Sequence, residues 1–288
     1  MSISLDLQNV TFRYTGINGS DRMVIHNVSL RLGKKECVAI VGPSGSGKTT
    51  LIQHFTGLLR PLSGKILVDG QDIWHRSFSQ DGLRRRIGLV FQFPENQLFE
   101  ETVAKDVAFG PRNLGLSDNE IDRRISAAME AVYLDRKVFD PRSPFRLSEG
   151  EKRRAAIAGV LAMDPELVVF DEPTAGLDPK GTERMSSIIK GLRASGKSVA
   201  VISHNIDFVA QIAERVIIML NGEIAYDGLS KSLFANEALL KSAGLQVPSL
   251  IAVLKEMKHL LPTRFASAVS FEDLLTQLSP SSSPSAQH

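Results

Sequence analysis

Apolar residues follow two periods along the chain, and the order in which those periods alternate outlines its elements. Leu5 and Leu7, then Val10, Phe12 and Tyr14, alternate as a half-exposed strand does, with a slip near Gln8 and Asn9. Val28, Leu30 and Leu32 predict a second strand of this kind. Cys37 to Val41, Leu167 to Phe170 and Val199 to Ile202 are instead continuous apolar runs, the mark of strands covered on both faces. Each run is followed by glycine, acidic or polar residues and then by a helical period. That recurrence predicts an α/β domain with a largely parallel sheet, preceded by an N-terminal antiparallel β subdomain.

Leu51, Ile52, Phe55, Leu58 and Leu59 form one helical stripe, predicting a helix from Thr49 to Leu59. Met185, Ile188, Ile189 and Leu192 form another, with Gly196 as its stop. Between about residues 93 and 160 the buried-strand pattern is absent. There Ser117-Asp118-Asn119-Glu120 reads as a helix start before Ile121, Ile125, Ala128, Met129 and Val132, so the stretch is expected to be a helical insert. Asn221-Gly222, between Val216 to Leu220 and Glu223 to Tyr226, predicts a hairpin. The expected organisation is one domain over residues 1–228, including the insert, then a small C-terminal extension over 229–278. Leu250, Val253, Leu254 and Met257 give that extension a helical spacing, and the Ser/Pro-rich 279–288 is expected to be a disordered tail.

Composition narrows the class without naming an activity. The 288 residues are 43% hydrophobic and 23% charged, which excludes collagen-like, wholly disordered and disulfide-scaffold proteins. Lys and Arg number 34 against 32 Asp and Glu, so no nucleic-acid partner is expected, despite the local cluster Arg84-Arg85-Arg86. The single cysteine, Cys37, fits a reducing compartment. No apolar run approaches the ~20 residues needed to cross a bilayer, and the start of the chain lacks the pattern of a secretory signal.

The chemistry is concentrated in a few segments. Gly42-Pro43-Ser44-Gly45-Ser46-Gly47-Lys48-Thr49, with Thr50 following, fits G-x-x-x-x-G-K-[ST] and lies between a buried strand and a helix. Glycines there let backbone N–H groups and a helix N-terminus converge on phosphate oxygens, with Lys48 bridging the outer phosphates. Thr49 can place a hydroxyl on Mg²⁺, which also needs an acid from the end of a neighbouring strand. Asp171-Glu172 supplies the acid, Asp171 on the metal side and Glu172 polarising the attacking water. Taken alone, an Asp-Glu pair at a strand end is more often a cap or a turn.

Further along come Gln92, Leu147-Ser148-Glu149-Gly150-Glu151, Ala175-Gly176-Leu177-Asp178, and His204 after another buried strand. In this order and spacing the motifs resemble an ABC-type ATPase over about residues 3–228. The Asn-Lys-x-Asp motif of small GTPases is not found.

The resemblance implies that Tyr14 stacks on adenine, that Gln92 senses both Mg²⁺ and a membrane partner, and that His204 contacts the terminal phosphate. It implies a dimer of ATPase chains, homo- or heteromeric, in which one chain's cradle holds ATP completed by Ser148 and Gly150 of the other, with Asp178 at the junction. The plain alternatives are a core-facing Tyr14, a polar turn at Gln92, a helix-opening turn at His204, and N-caps at Ser148 and Asp178. Glu149 and Glu151 depart from the usual Leu-Ser-Gly-Gly-Gln. Glu149 is expected to point outward, away from a γ-phosphate that would repel it.

Phe93-Pro94-Glu95-Asn96-Gln97-Leu98-Phe99-Glu100-Glu101-Thr102-Val103 is similar to the segment after the glutamine in ATPases of energy-coupling factor transporters. That narrower resemblance implies an importer of a vitamin or a transition-metal ion. A membrane scaffold subunit would dock on this segment, with its apolar groups and three acids, and a second membrane subunit would select the cargo. The expected location is the cytoplasmic face of the cell membrane. The alternatives are the ATPase of another ABC importer and a soluble ABC ATPase acting on nucleic acid.

Overall fold

A strand whose residues are all apolar must be covered on both sides, and the three continuous runs lie together in one sheet. The computed structural model describes residues 3–15, 21–256 and 274. Its strands are β1 (Leu5–Tyr14), β2 (Arg22–Leu32), β3 (Cys37–Val41), β4 (Ser63–Val68), β5 (Gln71–Asp72), β6 (Ile87–Val90), β7 (Leu167–Asp171), β8 (Ser198–Ile202), β9 (Arg215–Leu220) and β10 (Glu223–Leu229). A six-stranded sheet has the order β10-β9-β3-β8-β7-β6, parallel except for β10. A four-stranded antiparallel sheet has the order β2-β1-β4-β5.

The helices are α1 (Lys48–Phe55), α2 (Gln80–Arg86), α3 (Val103–Asn113), α4 (Asp118–Ala131), α5 (Arg136–Phe139), α6 (Glu149–Leu161), α7 (Pro179–Ala194), α8 (Ile206–Ile212), α9 (Ser230–Ala235), α10 (Glu237–Ser242) and α11 (Ser249–Glu256). Alternation along the central strands divides the interior. Ala39, Val41, Val168, Phe170, Val199 and Val201 pack with the helices of the insert and with α7 and α8. Val38, Ile40, Leu167, Val169, Ala200 and Ile202 face α1 and the inner side of the small sheet. Leu233, Phe234 and Leu240, from α9 and α10, join the first of these cores.

Local chemistry explains the element ends. The slip in β1 is a bulge at Asn9, whose φ is 51°, with register shifts between Leu7 and Val10. Gly64 makes room for it, since a Cβ there would lie 2.4 Å from the Asn9 carbonyl oxygen. α1 ends at Phe55, four residues short of the expected Leu59. Gly57 takes a left-handed φ of 67° and donates to His54 O, while Leu58 N donates to Gln53 O, a Schellman closure. Leu58 is consequently exposed rather than part of the buried stripe. α7 stops by the same device at Gly196, and Asn221 and Gly222, both at positive φ, turn β9 into β10 as predicted.

Residues 93–160 carry helices and no strand among those described. β4, β5 and α2 were not anticipated. Among the described residues no helix is long and apolar enough to cross a membrane. Met257 and the serine-rich 279–288 lie outside the described residues.

Candidate functional site

The loop from Gly42 to Gly47 closes the gap between β3 and α1, and its conformation requires glycine at two places where other backbone comes close. A Cβ on Gly42 would sit 2.2 Å from Met219 O, and one on Gly47 2.8 Å from Val24 O. Both residues have positive φ, 145° and 101°. The loop is thus clamped between β2 and the β9–β10 hairpin, and Gly222 N donates to Ser46 O at 3.1 Å. The buried Ser46 hydroxyl has no hydrogen-bond partner among the described residues. Lys48 folds back across the loop, its Nζ donating to Gly42 O and Pro43 O at 2.9 Å each.

Gly42, Gly45, Gly47 and Lys48 line a cleft of about 480 Å³ together with Tyr14, Arg22, Val24, Ser44, Thr49, Thr50, Gln92, Asp171, Glu172 and His204. Thr49 Oγ1 donates to Asp171 Oδ2 at 3.4 Å. Asp171 ends β7, where burial and then the neighbouring Glu172 charge push its carboxyl above the usual aspartate range, against Thr49 and Lys48. Burial lowers Lys48, with Glu172 and Asp171 opposing it.

Glu172 adopts φ 49°, an uncommon conformation for a non-glycine residue, and is held there by its N–H to Ile202 O at 2.9 Å. Its Oε2 accepts from His204 N at 3.3 Å and lies 2.8 Å from His204 Nδ1. The ends of β7 and β8 thus place an acid, a second acid and an imidazole in sequence along one wall.

Tyr14 does not face the core. It is 44% exposed at the mouth of the cleft, with its hydroxyl 3.4 Å from Thr50 Oγ1 and donating to Gln53 Oε1 at 3.3 Å. Phe12 packs edge-on against its ring at 5.0 Å. The oxygens of Thr49 and Asp171 are hard donors of the kind Mg²⁺ takes, and Gln92 lines the same cleft. Among the described residues no three His, Cys, Asp or Glu side chains gather as a metal site. A cation here would therefore draw its remaining ligands from phosphate and water. Arg22 and Val24 are cleft residues that no motif flagged. The only available signal was the cross-strand pairing of β1 with β2, which sets Arg22 opposite Tyr14.

Ser148, Gly150 and Asp178 are not brought into this cleft. Ser148 caps α6 in a complete capping box: its hydroxyl accepts from Glu151 N at 3.4 Å, and Glu151 Oε2 accepts from Ser148 N at 2.8 Å. That bond, with one from the Ser148 hydroxyl, holds the Glu151 carboxyl below its ordinary range. Glu149 points outward, 76% exposed and paired with Lys152 at 2.7 Å. Asp178 caps α7, accepting from Gly181 N at 2.7 Å, with Pro179 as the first helical residue. Gly150 and Gly181 line one small hollow, so the two capped helix starts are neighbours.

The segment after Gln92 is a single 3₁₀ turn, Pro94–Gln97, followed by extended chain into α3. Its acids are not equivalent. Glu95, expected on the open surface, is instead turned inward: its carboxylate is 8% exposed and forms a two-point pair with Arg153 of α6, at 3.0 and 2.8 Å. Burial alone would raise Glu95, but the hydrogen bonds and charge of Arg153 outweigh it and hold the carboxyl low. Arg153 also donates to Ala175 O at 2.7 Å and Pro173 O at 3.4 Å, beside Glu172, and lies over the Phe93 ring.

Beyond the pair, Phe99 and Phe109 are exposed and meet edge to face at 4.9 Å. They rim a groove of about 180 Å³ floored by Gly110, Ala155, Ala156 and Gly159.

Comparison with known proteins agrees with this arrangement. Residues 25–175 match the ABC transporter family. The energy-coupling factor transporter ATP-binding protein EcfA2 of Clostridium perfringens (strain 13 / Type A) is 43% identical over 258 residues, covering 89% of this chain and 90% of that protein. Among solved structures, cbiO1 from Clostridium perfringens, part of the ABC transporter complex cbiONQ, superposes with a TM-score of 0.74 at 34% identity, covering 87% of this chain and 98% of the other. A dimeric ATP-binding cassette in a post-hydrolysis state bound to ADP and Pi gives 0.67 at 30% identity, over 78% of this chain and 98% of that one.

Proposed function

Since the chain belongs to the ABC transporter family, and within it to the energy-coupling factor ATP-binding proteins, we propose that it hydrolyses ATP to energise an importer of a vitamin or transition-metal ion. One observation carries the reading. The cradle, both acids and His204 line a single cleft, while the capped start of α6 with Ser148 and Gly150 lies elsewhere on the same chain.

In this reading the backbone N–H groups of Gly45 to Thr49 and the N-terminus of α1 hold the phosphates, and Lys48 exchanges its two carbonyl partners for phosphate oxygens. Thr49, Asp171 and Gln92 would hold Mg²⁺, whose chemistry is to neutralise charge developing on the phosphates. Glu172 accepts a proton from the attacking water. His204, already on its Oε2, keeps the carboxylate aimed and reaches the terminal phosphate. Tyr14 stacks on the adenine.

The α6 N-terminus, with no side chain at Gly150 and its own N–H groups unused beyond the Ser148 cap, meets the phosphates of an opposed ATPase chain, and Asp178 lies at that junction. Outward-facing Glu149 leaves this approach clear of like charge.

Transport requires a membrane partner, and the groove beside Phe99 is its docking place. Small residues on the floor admit a close helix backbone, the two phenylalanines supply apolar contact, and Glu100 together with Glu101, which is paired with Lys105 in the free chain, supplies charge for arginines or lysines of a scaffold subunit. Glu95 takes no part in that contact. Its pairing with Arg153 links the docking segment to α6 and to the Pro173–Ala175 backbone next to Glu172. A separate membrane subunit selects the cargo, and the ATPase works on the cytoplasmic face of the membrane. Copurification of the chain with its membrane complex, followed by reversal of Glu100 and Glu101 to lysine, tests the docking. Transport is expected to be lost while ATP hydrolysis by the isolated ATPase persists, and unchanged transport would refute it.

A further inference from the structure

We infer that Arg22 is a nucleotide-binding residue, pairing with the phosphate chain of ATP. Arg22 opens β2 directly across from Tyr14, the last residue of β1, so the strand pairing that presents the aromatic ring also presents the guanidinium. Both line the cleft. A Cβ placed on Gly45 would lie 3.6 Å from Arg22 Nη2, which puts the guanidinium over the turn of the phosphate cradle. Its place over that turn of the cradle makes the phosphates its target.

Charge supports the assignment. Among the described residues the Arg22 side chain has no hydrogen bond or ion pair, and the adjacent Asp21 is engaged by Arg13 at 2.8 Å. Asp171 and Glu172 line the same cleft as Lys48, so a second fixed cation there adds to the attraction for a polyanionic ligand. A guanidinium is suited to two-point contact with phosphate oxygens and keeps its charge at any working pH. The inference deepens the ATPase reading and rests on it.

The test measures ATP and ADP affinity, salt dependence and turnover for the full chain and for Arg22→Gln, Arg22→Lys and Arg22→Glu. Arg22 is exposed, so the substitutions leave the core intact. Arg22→Gln is expected to weaken both nucleotides about three- to tenfold, a typical range for one partly solvated charge-assisted contact. Arg22→Glu should weaken them further and Arg22→Lys recover most of the loss. The gap between Gln and the unaltered chain should narrow with added salt. The inference is overturned if Arg22→Gln binds ATP normally, if Lys is no better than Gln, or if turnover falls at unchanged affinity. Should the unaltered chain bind neither ATP nor ADP, the ATPase reading itself fails.

Discussion

The cleft around Lys48 and the junction around Arg153 are built from the same kinds of residue, yet they differ in what those residues have left to bind. In the cleft, Lys48 is parked on two carbonyls, and Asp171 sits beside Glu172 with its carboxyl raised. At the junction Glu95 and Arg153 answer each other: they meet at two points, and the remaining donor of Arg153 goes to Ala175 O and Pro173 O. Open valences mark where a ligand enters, and closed ones mark a rigid connection between moving parts. In the proposed function the first of these receives phosphate, and the second links the docking segment to α6.

The largest expected effect lies in the cleft. Glu172→Gln keeps charge-independent shape but removes the proton acceptor, so turnover should fall by about 10²–10⁴ while ATP binding survives. Single-turnover hydrolysis with retained nucleotide checks this, and normal turnover would remove Glu172 from the chemistry. At the junction the effect is on stability. Arg153→Met leaves a buried carboxylate without its partner and should cost about 3–5 kcal/mol, much of it returned by adding Glu95→Gln. Denaturant titration of both variants separates a strut from an incidental pair.

The pH response sharpens the same comparison. Arg153 holds Glu95 below its unfolded value, so this contribution is fully present above the ordinary glutamate range and is lost as pH falls through the lowered folded value. Glu95→Gln should therefore flatten the acid limb of the stability profile. A limb of unaltered slope would mean that other carboxylates control it. The smallest effect is expected at the α6 cap, where Ser148→Ala removes one half of the capping box and should cost about 1 kcal/mol in thermal or denaturant unfolding.

How much could be read in advance follows from how local each signal is. The central strands were legible because burial on both faces leaves an unbroken apolar run, as in Val168, Val169 and Phe170. The cradle was legible because Gly42, Gly47 and Lys48 are demanded by backbone approach and charge at fixed spacing. β4 and β5 were missed because Ser63, Gly64 and Lys65 are exposed and only Ile66 and Val68 are buried, a pattern too short to show a period. The inward turn of Glu95 depends on an arginine 58 residues away, which no window of sequence contains. Arg22 escaped notice for the same reason, since pairing across β1 and β2, not spacing, puts it beside the cradle.

The central claim is that ATP is enclosed between the cradle of one chain and the α6 start of another. Sedimentation of Glu172→Gln with its pairing ATPase chain, in Mg·ATP and in Mg·ADP, tests it most directly when repeated with Gly150→Asp added to the chain whose α6 completes the site. A dimer that forms in ATP, dissolves in ADP and is abolished by Gly150→Asp, while each chain still binds ATP, is the result this account predicts. An ATP-loaded species that stays a single chain, or a dimer indifferent to Gly150→Asp, would contradict it.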